Sequence, residues 1–173
     1  MDSKCRVDRI KNIDFSTFKP VRAGVIVYTF HKHKTFFILG IDTKSGDVTD
    51  FAGGVSFKKE DPLSGGLREL MEESLGIFGN IRVDEIINCI SVYDKENLII
   101  FVPINIDINS KIDEFSFRVK HLRNPEVIKL KILSKKDFVA LIDGNSIGEN
   151  VMYDRIRNLL LSGKNSHNLL RSL

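Results

Sequence analysis

The sequence predicts an α+β fold in which a mixed β-sheet is flanked by helices. Three observations predict it. Short runs rich in β-branched and aromatic residues recur along the chain, one strongly signalled helix interrupts them, and further helical patterns close the sequence. The 173 residues are 42% hydrophobic and 28% charged, enough to bury one core and too apolar for wholesale disorder. A single domain over 1–173 is expected, with an N-terminal arm over 1–20 and a fraying tail over 163–173.

Residues 1–20 are polar and mixed, and read as an irregular arm or short edge element. "AGVIVYTF" (Ala23–Phe30) and "TFFILGID" (Thr35–Asp42) have strand composition and flank the polar "HKHK", which reads as a hairpin turn. "TKSGD" marks another turn, and "VTDFAGG" leads into the helix. That helix has Asp61 as N-cap, Pro62 at its first position and Gly76 as its C-terminal glycine. Gly65 and Gly66 dissent, since each glycine in a helix costs about 1 kcal/mol relative to alanine. Such a pair implies close approach of the backbone to something, or a local weakness.

After the helix, "IINCISVY" and "NLIIFVPINIDI" form two apolar strands around "DKEN", and "EVIKLKIL" (Glu126–Leu133) a further one. "SKKDFVALID" has a serine cap and helical periodicity. "VMYDRIRNLLL" (Val151–Leu161) reads as a C-terminal helix burying Val151, Ile156, Leu159 and Leu160.

The net charge of +3 permits an anionic ligand without demanding a nucleic acid. Its distribution is uneven: acid gathers in 60–73, while Lys and Arg are frequent in 111–136. Cys5 and Cys89 fit neither a disulfide scaffold nor a zinc site, and a reducing compartment is expected. No apolar h-region opens the chain and no run approaches a membrane span, so an intracellular, cytoplasmic protein is expected.

Glu69, Glu72 and Glu73 stand at i, i+3 and i+4 and share a helix face, with Leu63, Leu67, Leu70 and Ser74 on the opposite side. Glu60, just before the helix, can fold back toward the acidic face. Crowded carboxylates repel unless something positive sits among them. Hard divalent cations such as Mg2+ take a few carboxylates and leave positions for phosphate and water. Arg68 can hold a carboxylate by a bidentate pair, and Gly53–Gly54 lets a loop wrap the site. An acidic helix face is ordinarily mere solvated surface. The fixed spacing of the whole constellation points past that reading.

The segment "GGVSFKKEDPLSGGLRELMEESLGI" resembles the signature of the Nudix hydrolases, G-x5-E-x7-R-E-U-x-E-E-x-G-U with U aliphatic. Gly54 opens it, "VSFKK" fills five places before Glu60, "DPLSGGL" fills seven, and "RELMEE" (Arg68–Glu73) follows letter for letter. Two departures stand out. The family has one residue between the glutamate pair and the final glycine, whereas "SL" precedes Gly76 here, and Ala52 replaces a frequent proline. Neither removes an acidic group.

The resemblance implies an α/β/α sandwich and a metal-dependent hydrolase acting on a phosphoanhydride in a nucleoside diphosphate linked to X. It makes Glu69, Glu72 and Glu73 metal ligands, one of them able to assist a water. Glu60 becomes a further ligand or support, Arg68 the orienting residue and Gly54 the glycine nearest the metal. Mg2+ or Mn2+ is the implied cofactor. A nucleoside triphosphate, a dinucleoside polyphosphate, a nucleotide sugar or cofactor, an inositol pyrophosphate and capped RNA all remain open as substrates. The alternative is a non-catalytic module of the same fold that binds RNA or a nucleotide, and the intact glutamates speak against it. A homodimer is compatible with the family.

Some members carry an extra acidic base outside the signature, for which Glu126 and Glu96 are the candidates. Lys58 and Lys59 could steer a polyphosphate and Phe51, Phe57 or Tyr93 could stack on a base, although solvation and core packing explain these residues equally well. His31, His33, His121 and His167 show no metal spacing. The scattered cations of "RVKHLR", "SKK" and "RIR" allow an RNA track but more often mark solvated faces.

Overall fold

The computed structural model describes residues 5–56, 58–162 and 166–173. Among these residues eight strands form one sheet: β1 (Arg6–Arg9), β2 (Arg22–His31), β3 (Lys34–Asp42), β4 (Val48–Thr49), β5 (Phe51–Gly54), β6 (Ile90–Tyr93), β7 (Asn97–Pro103) and β8 (Val127–Ser134). The main path runs β1-β6-β7-β2-β3-β4. All of its pairings are antiparallel except β2 with β7, so the sheet is mixed as expected.

Strand β2 is buried on both sides. Val25 and Val27 face one core, while Ile26 and Tyr28 face the other, which explains the unbroken apolar run in sequence. Helices α1 (Pro62–Glu73) and α2 (Ile108–Val119) cover the first face, contributing Leu63, Leu67, Leu70 and Phe115. Helices α3 (Lys135–Ile142), α4 (Asp154–Ser162) and α5 (Ser166–Ser172) cover the second through Phe138, Leu141, Ile156, Leu160 and Leu169. The result is an α/β/α sandwich. Among the described residues no helix is long and apolar enough to cross a membrane.

The site depends on how β2 shares one edge. Arg22–Val25 pairs with β5, whereas Val27–His31 pairs with β3. On its other edge β3 pairs with β8 over Phe36–Asp42. The sheet therefore forks, and the gap between β5 and β8 opens beside the end of α1. At the far end of the hairpin Lys32 and His33 both take positive φ, the backbone of a two-residue turn that fits the strand twist.

Several expectations are corrected. The apolar run after β6 does not continue as strand to Ile108: β7 stops at Pro103, and α2 begins after Asp107, whose carboxylate caps Ser110 N. The final long helix begins at Asp154 rather than Val151. Val151 is exposed and Met152 takes the buried place beside Val48, because the segment pairs with β4 before turning helical. In the tail, 166–172 form α5, with Leu169 and Leu170 sunk into the second core where fraying was expected. In the N-terminal arm, Arg6–Arg9 pairs with β6.

Candidate functional site

Helix α1 starts where the sequence places it. The Asp61 side chain accepts from Ser64 N at 3.0 Å and from Ser64 Oγ at 2.7 Å, and Pro62 opens the first turn. Its exit accounts for the extra residue before Gly76. Leu75 has φ 58°, Gly76 has φ 72°, and Gly76 N–H donates back to the Met71 carbonyl. That is a helix stop with leucine in the left-handed position glycine usually takes. Side-chain packing on the first core and a hydrogen bond from Arg118 Nη1 to the Leu75 carbonyl hold it there.

Arg68 sits at the centre of one carboxylate group. Its Nε and Nη2 grip Glu60 at 3.0 and 2.7 Å, its Nη1 reaches Glu69 at 2.9 Å and Glu72 at 3.1 Å, and Nη2 donates to the Gly54 carbonyl at 3.3 Å. The grip of Arg68 lowers the Glu60 pKa, and Glu60 in turn raises that of Arg68. Glu69 is pushed the other way, upward, by burial that outweighs the same guanidinium. It lies across Gly53, where a Cβ would overlap its carboxylate.

Glu73 stands apart from that net. It accepts from Ala52 N at 3.1 Å and has no basic partner among the described residues. Burial, then its contact with Glu126, then the charges of Asp50 and Glu69 push its pKa up to about 9. Two carboxyl groups in contact require a proton or a cation between them. Glu126 is brought here by the turn before β8, where Thr43 Oγ1 donates to the Pro125 carbonyl at 2.6 Å and Thr43 N–H to the Glu126 carbonyl at 2.9 Å.

These groups line a pocket of about 330 Å³ in the sheet fork, whose walls also carry Arg22, Asp42, Asp50 and Gly54. The donor set is oxygen-rich and anionic, which suits a hard cation. As they stand, no three acidic or imidazole side chains among the described residues converge on one cation position, because Arg68 occupies the space among Glu60, Glu69 and Glu72.

Of the residues singled out in sequence, Glu69, Glu72, Glu73, Gly54 and Glu126 meet at this pocket, with Arg68 and Glu60 behind them. Glu96 does not. It lies in the β6–β7 turn, where its carbonyl accepts from Val21 and Arg22 N–H. Lys58 and Lys59 are exposed on the loop before α1 and off the pocket wall. Phe51 is fully buried against Phe78 in the first core, because odd positions of β5 face α1, so its ring has no face toward the pocket. Tyr93 is buried too, and its hydroxyl donates to Asp8 at 2.6 Å. Phe57 lies outside the described residues.

Arg22 and Asp50 went unnoticed in sequence. The signal was there for Asp50, an acid in the otherwise apolar approach "VTDFAGG".

No protein-family model matches the chain, and no curated protein does. Among solved structures it is similar to the C. elegans Ap4A hydrolase, with TM-score 0.48 and 17% identity over 84% of this chain and 96% of that one. A C. elegans Ap4A hydrolase binary complex gives TM-score 0.48 at 16% identity, covering 88% and 98%. The NUDIX domain of Shewanella oneidensis NrtR, complexed with ADP ribose, gives TM-score 0.47 at 11% identity, covering 86% and 90%.

Proposed function

We propose that this chain is a Nudix hydrolase that uses Mg2+ or Mn2+ to cleave a phosphoanhydride bond in a nucleoside diphosphate linked to X. One observation carries the reading: carboxylates spaced as in the signature meet in a single pocket beside Gly53–Gly54, with Glu126 delivered to it from 53 residues beyond Glu73. A solvated acidic face would have no reason to bury Glu69 or to press Glu73 against a second acid.

Glu69, Glu72 and Glu73, with Glu126 or the Gly54 carbonyl beside them, would hold the cation once Arg68 yields part of its grip. Bound there, the metal would neutralise polyphosphate charge and make a coordinated water more acidic. The chain's own groups do the rest. Arg68 orients Glu60, Glu69 and Glu72 through fixed fork geometry. The Ala52 amide fixes Glu73. Glu73 or Glu126 accepts the proton of the attacking water as its oxygen bonds to phosphorus and the anhydride P–O bond breaks. Capped RNA remains within the substrate range, as do nucleoside triphosphates, dinucleoside polyphosphates and nucleotide sugars.

The test is a phosphate-product assay over these classes with Mg2+ or Mn2+, run on the wild type and Glu73→Gln. The expected result is metal-dependent turnover of one class, lowered about a thousandfold in the variant. Metal-independent binding of RNA or nucleotide without turnover would assign the chain to a binding module instead.

A further inference from the structure

The inner wall of the sheet fork is charged and closed. It ends on Asp50, which is only 1% exposed, paired with Arg155 Nη2 at 3.1 Å and packed on Gly24, where a Cβ would overlap its Oδ2. The other side of the acidic cluster differs. Glu72, Glu73, Glu126 and Val127 also line a second pocket, of about 230 Å³, which Leu75, Leu122, Asn124 and Pro125 complete. Because the two pockets share three carboxylates, a group held over those carboxylates borders both.

The apolar part of this second wall has two unusual members. Leu122 is 44% exposed, in the loop between α2 and β8. Leu75 holds φ 58°, a backbone that glycine takes freely and that costs another residue about 1–3 kcal/mol. It belongs to the pair Ser74–Leu75, which stands where the signature has a single residue. Glycine would stop the helix equally well at this φ. The leucine instead sets an apolar side chain against the first core and on the pocket wall. An exposed leucine alone is ordinary. One that lines the same cavity as a strained leucine, next to a cluster suited to a cation, points to a ligand.

Apolar walls beside such a cluster fit a ligand that carries a flat apolar face close to its phosphates. A sugar or an inositol is ringed with hydroxyls, which leucine and proline would desolvate without partners. A nucleobase buries its faces on such walls and keeps a polar rim. For that rim Asn124, exposed and without a hydrogen-bond partner among the described residues, has its amide to offer. The volume has room for one ring system rather than a whole nucleotide. We propose that Leu75, Leu122 and Pro125 form a nucleobase subsite on the α2 side of the carboxylates, with the phosphates over Glu72, Glu73 and Glu126. The inference rests on the nucleotide-hydrolase reading and adds to it where the base lies and which residues hold it.

The experiment measures affinity by calorimetry, with Ca2+ in place of Mg2+, for ADP, GDP, CDP and UDP. Ribose 5-diphosphate is the reference without a base, and isopentenyl diphosphate the reference with an apolar group but no ring. The wild type is expected to bind at least one nucleoside diphosphate about tenfold more tightly than either reference. Leu122→Ser and Leu75→Gly should each bring that ratio to within about threefold. Leu122 is exposed and glycine suits the backbone at 75, so both variants should keep the fold in a thermal melt. Should Leu75→Gly melt early, Leu122→Ser decides alone.

No gain from any base, a gain that isopentenyl diphosphate matches, a ratio that survives in either folded variant, or no binding of any diphosphate at millimolar concentration would overturn the proposal. Turnover with Mg2+ followed alongside separates the two readings. A base gain that the variants abolish, without hydrolysis, sinks the hydrolase alone. Hydrolysis without a base gain sinks the subsite alone.

Discussion

The two halves of the acidic cluster solve the same problem in opposite ways. Glu60, Glu69 and Glu72 share one internal cation, Arg68, in a net that is partly open to solvent. Glu73 meets Glu126 and feels the charge of Asp50 with no guanidinium of its own, and burial drives it toward the protonated form. The first half already has a cation among its carboxylates. The second is complete only with a proton or a cation, which makes it the half where a metal changes most.

The largest break in that comparison is expected from Gly53→Ala. A methyl at 53 overlaps the Glu69 carboxylate and displaces it from Arg68 and the pocket at once. A shift of about 1 Å at a catalytic group costs about a hundredfold in rate, and steady-state kinetics beside a thermal melt should show turnover lost with the fold retained. Arg68→Lys comes next. It keeps the charge and loses the fork, so half-maximal activation should need about tenfold more Mg2+. An unchanged metal requirement would mean the net is mere surface.

The pH dependence of stability sharpens the contrast because the two halves carry opposite signs. Glu60 has a lowered folded pKa, so its stabilisation is present above the unfolded carboxyl value and is lost as the pH falls. Glu73 has a raised one. Its stabilisation is fully present below the unfolded value of about 4.3 and is lost as the pH climbs toward its folded pKa of about 9. Urea melts in chelator at pH 5, 7 and 9 should therefore show an alkaline decline that Glu73→Gln flattens and Mg2+ suppresses. A decline of equal slope in the variant would mean another group is responsible.

The smallest effect is expected from Gly66→Ala. The space there meets Ala23 and Ile100 at ordinary contact distance, so the methyl fits and should stabilise α1 by up to about 1 kcal/mol without touching turnover. Gly65 differs, since its Cβ would press on Glu60 and Val55 at 3.1 Å. Of the helical pair, only Gly65 answers to close approach.

What was legible in the sequence was local. The spacing from Gly54 to Glu73 can be read without coordinates because a helix turns its period directly into a shared face. Glu126 and Glu96 looked alike in sequence, and only the pairing of β8 with β3 separates them. Asp50 required knowing that β5 sits opposite Gly24, and Arg155 that α4 packs behind it. Helix α2 was hidden behind an apolar run that continues past Pro103 in "VPINIDI", although that proline marks the strand end and Asp107 with Ser110 was a cap in plain view. The two leucines that seat α5 read as tail because a seven-residue segment shows too little period to declare a face.

The Asp50–Arg155 pair has a bearing on biosynthesis. Its partners are 105 residues apart, and the carboxylate is fully enclosed. A nascent chain that has emerged only as far as β8 already displays every residue of the signature, yet it would have to bury Asp50 without a counter-charge. The pocket therefore closes last, when α4 arrives. A truncation ending before Asp154 should carry the whole motif and still lack an ordered site.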